Sequence, residues 1–192
     1  MYLVFDTETT GLPRNFKAPL TDFDNWPRIV QLAWNLYDSD AVLWGKYSYI
    51  IKPQDFIIPE EVAKIHRISQ ERAEQEGIPL EQAMKFFLKD VEEAEFLVAH
   101  NIEFDEKIIS AELLRLGWKN PLMTSKKICT MKSSAQYCQI DNGRGSYKWP
   151  NLNELYRILF KKDFVDAHDA AVDVKACADC LFELKRRKVI LL

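Results

Sequence analysis

Apolar and polar positions divide the first part of the chain into three predicted strands. Residues 2–5 are all apolar, which predicts a buried strand that continues to about Thr9. Residues 30–36 carry apolar side chains at every second position, as a strand with one buried face does. A turn at residues 38–40 and an apolar segment at residues 42–51 predict the returning strand of a hairpin. The three strands are therefore expected to form a meander.

Helical patterns then alternate with short buried strands. Two further strands are predicted at residues 96–99 and 128–130, and residues 139–150 are predicted to form a loop. The predicted helices begin at Pro59, after Ser69, at Pro79, at Glu103, at Asn151 and at about Asp169. Strands first, and then strands interleaved with helices, indicate an α/β fold with a mixed sheet. Because repeats and linkers are absent from the sequence, we expect a single domain over residues 1–192.

Composition excludes some classes of protein. With 192 residues, 47% of them hydrophobic, the chain can form one domain with a substantial core. It shows no signal peptide, transit peptide or membrane-spanning run, so we expect a cytoplasmic protein without a membrane partner. A net charge of −3 disfavours binding of long nucleic acid by phosphate neutralisation alone. A protein that holds a few nucleotides with the help of divalent cations stays possible.

Asp6 and Glu8 are the most informative residues about function, because both lie at the end of a predicted buried strand. Desolvating a carboxylate is costly unless positive charge compensates. Alternation along a strand places both side chains on one face, where they form half of a site for a hard cation such as Mg²⁺. The alternative is a strand end that has reached water. Another Asp-x-Glu pair, Asp90 and Glu92, occurs on a helical stretch that is predicted to face solvent.

Asp105 follows the predicted strand at residues 96–99 and lies near the start of the next helix. Ile109, Leu113 and Leu116 share its face of that helix, so the carboxylate is predicted to face the sheet. The helix dipole favours an acid in the first turn. The dipole does not account for an inward direction, and we therefore favour a functional role.

His168 and Asp173 flank the start of the last predicted helix. They are separated by about 140° on a continuous helix, so they converge only if His168 lies in the preceding loop, with Asp169 as the N-cap. An unperturbed imidazole titrates near pH 6.5 and can accept a proton at neutral pH. His100 has the same offset from Asp105 and is a rival base. We prefer His168, although a surface histidine is the alternative for that residue taken alone.

Together these segments resemble the three motifs of the DEDDh 3′→5′ exonucleases, the relatives of the bacterial polymerase III proofreading (epsilon) subunit. The segments are DTETTG at residues 6–11, HNIEFD at residues 100–105 and HDAAVD at residues 168–173. The resemblance implies a ribonuclease H-like fold, with a mixed five-stranded sheet flanked by helices. It also implies hydrolysis of phosphodiester bonds from the 3′ end of nucleic acid, with release of nucleoside 5′-monophosphates.

The resemblance also implies roles for individual residues. Two divalent cations, Mg²⁺ with Mn²⁺ able to substitute, would be held by carboxylates, with Asp6 bridging both. Glu8 and Asp173 would bind the ion that activates water, Asp105 would support the second ion, partly through water, and His168 would be the general base. The residues implied to contact the 3′-terminal nucleotide are Thr7, Thr9, Gly11, Leu12, Glu61, His66 and Asn101.

The chain departs from the family in two places. Many relatives carry Asp-Thr where this chain has Cys129 and Thr130. The loop at residues 12–27 is longer than expected for a proofreading subunit. It contains Phe16 and Trp26, among other aromatic residues, and it either shapes substrate choice or is an ordinary packed loop.

The natural substrate and partners are less directly encoded. Single-stranded DNA is the favoured substrate, and RNA trimming is the alternative. Contacts to the 2′-hydroxyl would distinguish the two substrates. A non-catalytic binding module is disfavoured, because all four acids and the histidine are present. Residues 82–87 loosely resemble a sliding-clamp peptide, which raises association with a polymerase or clamp. Met84 and Phe87 fall on a core-facing helix stripe, which argues against that association.

Overall fold

The fold is described by a computed structural model that covers residues 1–164 and 168–191. Within those ranges the strands are β1 (Tyr2–Thr9), β2 (Ile29–Tyr37), β3 (Leu43–Ile50), β4 (Phe96–Ala99) and β5 (Lys126–Cys129). The helices in the same ranges are α1 (Glu60–His66), α2 (Gln70–Glu76), α3 (Leu80–Glu93), α4 (Ile102–Arg115), α5 (Thr130–Cys138), α6 (Leu152–Phe160) and α7 (Ala170–Arg186). A 3-10 turn covers Pro121–Thr124.

The strands form one sheet in the order β3-β2-β1-β4-β5. β2 is antiparallel to β1 and β3, whereas β1, β4 and β5 are mutually parallel. The three parallel strands therefore end at one edge of the sheet, at Thr9, Ala99 and Cys129, and we call this the carboxyl edge. Ligands of open α/β sheets bind at such an edge. The predicted mixed five-stranded sheet flanked by helices is confirmed.

Strand β1 divides its side chains between two hydrophobic clusters. Leu3 and Phe5 pack in the cluster that contains residues of α3 and α4. Tyr2 and Val4 pack in the cluster that contains residues of α6 and α7. Because side chains alternate along a strand, the even-numbered acids of β1 continue toward α7, whereas Thr7 faces α4.

Most predicted elements are present, with small shifts at their ends. The predicted cap of α6 is confirmed, because Asn151 and Glu154 form a reciprocal capping box. Helix α5 was not predicted, since the segment at residues 130–138 has few apolar residues and begins without a side-chain cap. None of the helices in the described part of the chain has both the length and the apolar character needed to cross a bilayer.

The prediction that Asp90 faces solvent holds only in part. Asp90 is only partly exposed, because its Oδ2 accepts a hydrogen bond from Trp34 Nε1 at 2.7 Å. The indole N–H of a buried tryptophan needs an acceptor, and the helix surface supplies one. Glu92 of the same pair is exposed, as expected.

Candidate active site

Four carboxylates from three elements converge near the carboxyl edge. Asp6 and Glu8 come from β1, Asp105 from the first turn of α4, and Asp173 from the first turn of α7. Burial raises the pKa of Asp6 well above its ordinary value, and the charges of Asp105, Asp173 and Glu8 raise it further. Acids act on one another in this way only when they are close together. The three sequence segments therefore form one site.

The acids of this cluster bind protons more tightly than isolated carboxylates do. The pKa of Glu8 is raised to about 8, first by burial and then by the charges of Asp173 and Asp105. Burial also raises the pKa of Asp105 to about 7, against hydrogen bonds from Thr7 that lower it. For Asp173, burial raises the pKa to about 6, and His168 partly offsets the effect. A divalent cation relieves this kind of repulsion more fully than a proton does.

Thr7 fixes the carboxylate of Asp105. The backbone nitrogen and the hydroxyl of Thr7 both donate to Asp105 Oδ1, at 3.1 Å and 2.7 Å. Asp105 is buried, so the predicted inward direction of this acid is confirmed. The hydroxyl proton of Thr7 is used in this bond, and the contact of Thr7 with a nucleotide stays a prediction.

His168 lies just before α7, which begins at Ala170 with Asp169 as the N-cap, as predicted. Its backbone is left-handed, with φ at 72°, and its nitrogen donates to Asp173 Oδ2 at 3.2 Å. One possible ligand atom from each of Glu8, His168 and Asp173 lies within 4.8 Å of the other two. The exposed imidazole therefore stands beside the acids and in contact with solvent.

The chemistry of the cluster fits a cation. Oδ1 of Asp173 is buried and has no hydrogen-bond partner among the described residues. Such an oxygen costs about 1–3 kcal/mol or more when nothing satisfies it. Carboxylate oxygens are the ligands that Mg²⁺ and Mn²⁺ prefer, and the charged groups that raise the pKa of Asp6 and Glu8 are all carboxylates. A divalent cation would satisfy both the oxygen and the charge.

His100, the rival base, has both ring nitrogens engaged. Nε2 lies 3.0 Å from the carbonyl oxygen of Pro150 and must donate to it, so Nδ1 accepts from the hydroxyl of Thr130 at 2.9 Å. Burial lowers the pKa of His100 to about 4. The ring therefore links the turn after β4 to the start of α5 and to the segment before α6. Neither nitrogen is left to take a proton from water.

Gln31 was missed by the sequence reasoning. This residue of β2 is paired with Glu8 in the β1–β2 ladder. Its Oε1 accepts from the backbone nitrogen of Ala170 at 3.1 Å, and its Nε2 donates to Asp169 Oδ1 at 3.4 Å. Gln31 therefore ties the start of α7 to the sheet beside Glu8. An amide within an apolar strand was the available signal, because a buried amide needs partners.

The turn after β1 contains three of the predicted nucleotide contacts. The hydroxyl of Thr9 donates to the carbonyl oxygen of Gly11 at 2.6 Å. Gly11 has a φ of 143°, which glycine adopts readily and other residues avoid. Leu12 follows and is 73% exposed. Leu12 follows Glu8 by four residues in the chain, and its contact with a nucleotide stays a prediction.

The other predicted contacts lie in different environments. Asn101 has left-handed backbone geometry and precedes α4 at the carboxyl edge. Glu61 is exposed on α1. His66 is buried, its Nδ1 accepts from the nitrogen of Ile68 at 3.2 Å, and its Nε2 has no partner among the described residues. The roles of these residues in substrate binding stay predictions.

The loop at residues 12–27 is attached to α4, the helix that carries Asp105. Lys107 Nζ donates to the carbonyl oxygen of Phe16 at 2.8 Å. Arg115 Nη2 donates to the carbonyl oxygen of Phe23, also at 2.8 Å. The loop is therefore tied to α4 through its main chain, and its role in substrate choice stays a prediction.

Comparisons with known proteins identify the family. A family model described as RNase_T, Exonuclease, matches residues 3–181. DNA polymerase III subunit epsilon of Treponema pallidum (strain Nichols) is 31% identical over 180 residues, which is 93% of this chain and 73% of that protein. A PolC-type DNA polymerase III of Ureaplasma parvum serovar 3 is 32% identical over 140 residues, which is 69% of this chain and 9% of that protein.

Solved structures share the fold. The nuclease domain of 3′hExo, a DEDDh family member bound to rAMP, has a TM-score of 0.76 at 14% identity, over 100% of this chain and 94% of that one. Escherichia coli Exonuclease I, in complex with a dT13 oligonucleotide, has a TM-score of 0.74 at 19% identity, over 97% of this chain and 41% of that one. These likenesses confirm the ribonuclease H-like architecture. The family model and the epsilon relative place this chain in the exonuclease family, which is a family of hydrolases.

Proposed function

We propose that the protein removes nucleoside 5′-monophosphates from the 3′ end of single-stranded DNA, with two divalent cations and His168 as the general base. Residues 1–192 would act as a single exonuclease domain. The observation that carries the proposal is the convergence of Asp6, Glu8, Asp105 and Asp173, in which the charges of neighbouring acids raise the pKa of the first three. Like charges collected in a partly buried site are a sign of function.

Asp6, Glu8, Asp105 and Asp173 would together supply the carboxylate oxygens that hold the two cations. When bound, the two cations lower the pKa of water and neutralise charge on the phosphate. Thr7 would keep Asp105 in position, because its hydroxyl and backbone nitrogen both donate to that carboxylate.

Proton transfer would be the task of His168. Hydrolysis forms a bond between the water oxygen and phosphorus, and it breaks the bond from phosphorus to the 3′ oxygen of the preceding nucleotide. The water gives up a proton, and the departing 3′ oxygen gains one. The ring of His168 is exposed beside Glu8 and Asp173 and would accept the proton from water. His100 is less suited, because its nitrogens are already hydrogen-bonded.

The turn after β1 would receive the terminal nucleotide. Leu12 offers an exposed apolar surface there, and Thr9 and Gly11 keep the turn in shape. Thr7, Glu61, His66 and Asn101 complete the proposed set of contacts.

The decisive assay follows degradation of end-labelled single-stranded DNA, duplex DNA and RNA with Mg²⁺ or Mn²⁺. Single-stranded DNA should be shortened from its 3′ end by the wild type, and not by Asp6→Asn or in excess chelator. Asp40→Asn, which changes an exposed acid in the β2–β3 turn, is the matched control and should retain activity. A nuclease that resists chelation would overturn the two-metal mechanism. Faster degradation of RNA would favour the exoribonuclease alternative.

A polymerase-associated role is a second candidate, favoured by the 31% identity to the epsilon subunit. The clamp-like segment at residues 82–87 does not support it, since Met84 and Phe87 are buried in the core. Co-purification of the tagged chain with a polymerase would establish this role by another surface, and purification of the chain alone would count against it.

A further inference from the structure

Glu112 is a buried carboxylate that lies outside the acid cluster. It belongs to α4 and follows Asp105 by about two helical turns. Its Oε1 accepts from Arg28 Nε at 2.8 Å and from the backbone nitrogen of Ile29 at 3.2 Å, and Nη1 of Arg115 lies 3.3 Å from the same oxygen. A buried charge is costly unless it is paired, and here two arginines pair it. The proposed reaction makes no direct use of this group.

Arg28 links Glu112 to the turn that follows β1. The backbone nitrogen of Arg28 donates to Oγ1 of Thr10 at 3.0 Å, and the backbone nitrogen of Thr10 donates to the carbonyl oxygen of Arg28 at 2.9 Å. Thr10 stands between Thr9 and Gly11, two of the proposed nucleotide contacts. The turn that would receive the terminal nucleotide is therefore tied to a side chain of α4.

The side chain of Arg28 also reaches the segment that precedes α1. Its Nη1 donates to the carbonyl oxygen of Gln54 at 3.4 Å, and its guanidinium carbon lies 4.8 Å from the ring centroid of Phe56. This segment leads into α1, which contains Glu61 and His66, two further proposed contacts. A single residue thus contacts both segments that would enclose the terminal nucleotide.

Arg115, the second partner of Glu112, holds the loop at residues 12–27. Its Nη2 donates to the carbonyl oxygens of Phe23 at 2.8 Å and Trp26 at 2.6 Å. The two arginines that pair with Glu112 therefore hold the turn after β1 and the loop that continues from it.

We propose that Arg28 and Glu112 are positioning residues for the 3′-terminal nucleotide, which hold the turn after β1 and the segment before α1 at the spacing that the nucleotide needs. A seat that is held before binding loses less conformational entropy when the ligand arrives. Binding of the nucleotide then depends on this ion pair. The chemical step depends on the acid cluster, because Thr7 holds Asp105 separately. This inference rests on the proposed exonuclease function and names residues that set its KM.

The first test uses Arg28→Met, which keeps an apolar stem and leaves Glu112 paired with Arg115. The probe is thymidine 5′-monophosphate, the expected product from a thymidine tetranucleotide. We expect the Kd of the monophosphate, measured by calorimetry in Mg²⁺, and the KM of the tetranucleotide each to rise about ten-fold. We expect kcat to change less than about three-fold, and the Mg²⁺ concentration for half-maximal rate to stay the same.

Glu183 provides a matched control, because it also pairs with two arginines. These are Arg186 and Arg187, near the end of α7. Glu183 is 13 residues beyond the start of α7 at Ala170, or about 20 Å along the helix axis, so it is remote from the carboxyl edge. Arg186→Met should keep the Kd, KM and kcat of the wild type.

A second variant, Glu112→Gln, tests the other member of the pair. It should raise the Kd of the monophosphate at least as much as Arg28→Met does, whereas Glu183→Gln should not. The double variant Arg28→Met/Glu112→Gln should raise the Kd by less than the product of the two single effects, because both act through the same contact. Where Glu112→Gln does not fold, Arg28→Met and its control decide the question.

The outcomes separate the two proposals. If the wild type neither shortens the tetranucleotide nor binds the monophosphate, the exonuclease proposal itself fails. If the wild type does both, but Arg28→Met has the same Kd and KM as Arg186→Met, the positioning role is wrong. A lower Tm or a smaller active fraction with an unchanged Kd would assign the pair to stability alone and would also overturn it.

Discussion

Thr7 and Asp105 are 98 residues apart in the chain, yet they are joined by two hydrogen bonds to the same carboxylate oxygen. Thr7 stands between Asp6 and Glu8 on β1 and faces the opposite side of the sheet. The strand thus presents two acids on one face and, from the residue between them, positions a third acid that comes from α4. The geometry of the cluster depends on this threonine as well as on the acids.

Replacement of Thr7 by valine tests that dependence. Thr7→Val keeps the shape and the backbone bond but removes the hydroxyl bond to Asp105. We expect activity at limiting Mg²⁺ to fall about 10- to 100-fold, with a higher Mg²⁺ concentration for half-maximal rate. Titration of the rate with Mg²⁺ measures the effect, and Thr124→Val in the exposed 3-10 turn is the control. Identical Mg²⁺ curves for Thr7→Val and wild type would contradict the positioning role.

Replacement of Gln31 by leucine tests the attachment of α7. Gln31→Leu removes the bonds to Ala170 and Asp169, so the segment that carries His168 loses its tie to the sheet. Leaving the Ala170 nitrogen without an acceptor should cost about 1–3 kcal/mol of stability. We also expect kcat to fall by about ten-fold or more, with KM little changed. Steady-state kinetics and thermal unfolding, with Gln75→Leu on the exposed surface of α2 as the control, measure both effects. A loss in KM alone would refute this role for Gln31.

The metal-free protein should lose stability as pH rises from 6.5 to 8.5. The folded-state pKa values of Glu8 and Asp105 are raised to about 8 and about 7, whereas the unfolded chain loses these protons near pH 4. Up to about pH 8 the folded state therefore holds protons that the unfolded state has already lost, so the free energy of unfolding decreases as pH rises from 6.5 to 8.5. The decrease should be about 1–3 kcal/mol, or roughly 3–10 °C in Tm.

His100 acts in the opposite direction below pH 6.5. Its pKa is lowered to about 4, so it favours unfolding as pH falls below 6.5, where the unfolded histidine takes up a proton. His100 therefore offsets part of the effect of Glu8 and Asp105 below pH 6.5. Thermal unfolding in chelator and in Mg²⁺ across this range is the measurement. Mg²⁺ should raise Tm most at pH 8.5, and a Tm in chelator that climbs steadily from pH 6.5 to 8.5 would disprove the account.

Replacement of His168 and replacement of His100 should have different effects. His168→Ala should reduce kcat about 10²- to 10⁴-fold and retain the thermal stabilisation by Mg²⁺. His100→Ala leaves Thr130 and Pro150 without their partner, so it should lower stability by about 1–3 kcal/mol and reduce kcat less. Rates and unfolding curves for both variants decide the matter. If His100→Ala is the more damaging change to kcat in the folded protein, the assignment of the base is wrong.

The sequence predicted what depends on local spacing. The alternation along β1 predicted that Asp6 and Glu8 lie on one face. The apolar stripe of α4 predicted that Asp105 faces inward. The N-cap at Asp169 put His168 outside the helix. Each of these inferences uses residues within about one or two turns of one another.

Contacts between distant segments could not be predicted in this way. Gln31 meets Ala170 across 139 residues, and His100 meets Pro150 across 50. Both contacts depend on how separate helices dock on the sheet, which the pattern of a single segment does not encode. Helix α5 was missed for a related reason, since its N-terminal residues are buried by packing against the rest of the fold rather than marked by a strong apolar stripe.

The loop at residues 12–27 is attached to α4 through main-chain carbonyl groups, so these hydrogen bonds do not depend on the loop's side chains. Lys107 and Arg115 bind oxygens that every amino acid possesses, so residues such as Phe16 and Phe23 can be exchanged while the same anchors persist. Substitution of exposed side chains in this loop should therefore change its surface more than its path. For protein engineering, position 16 is an exposed site that can be changed without rebuilding the catalytic centre.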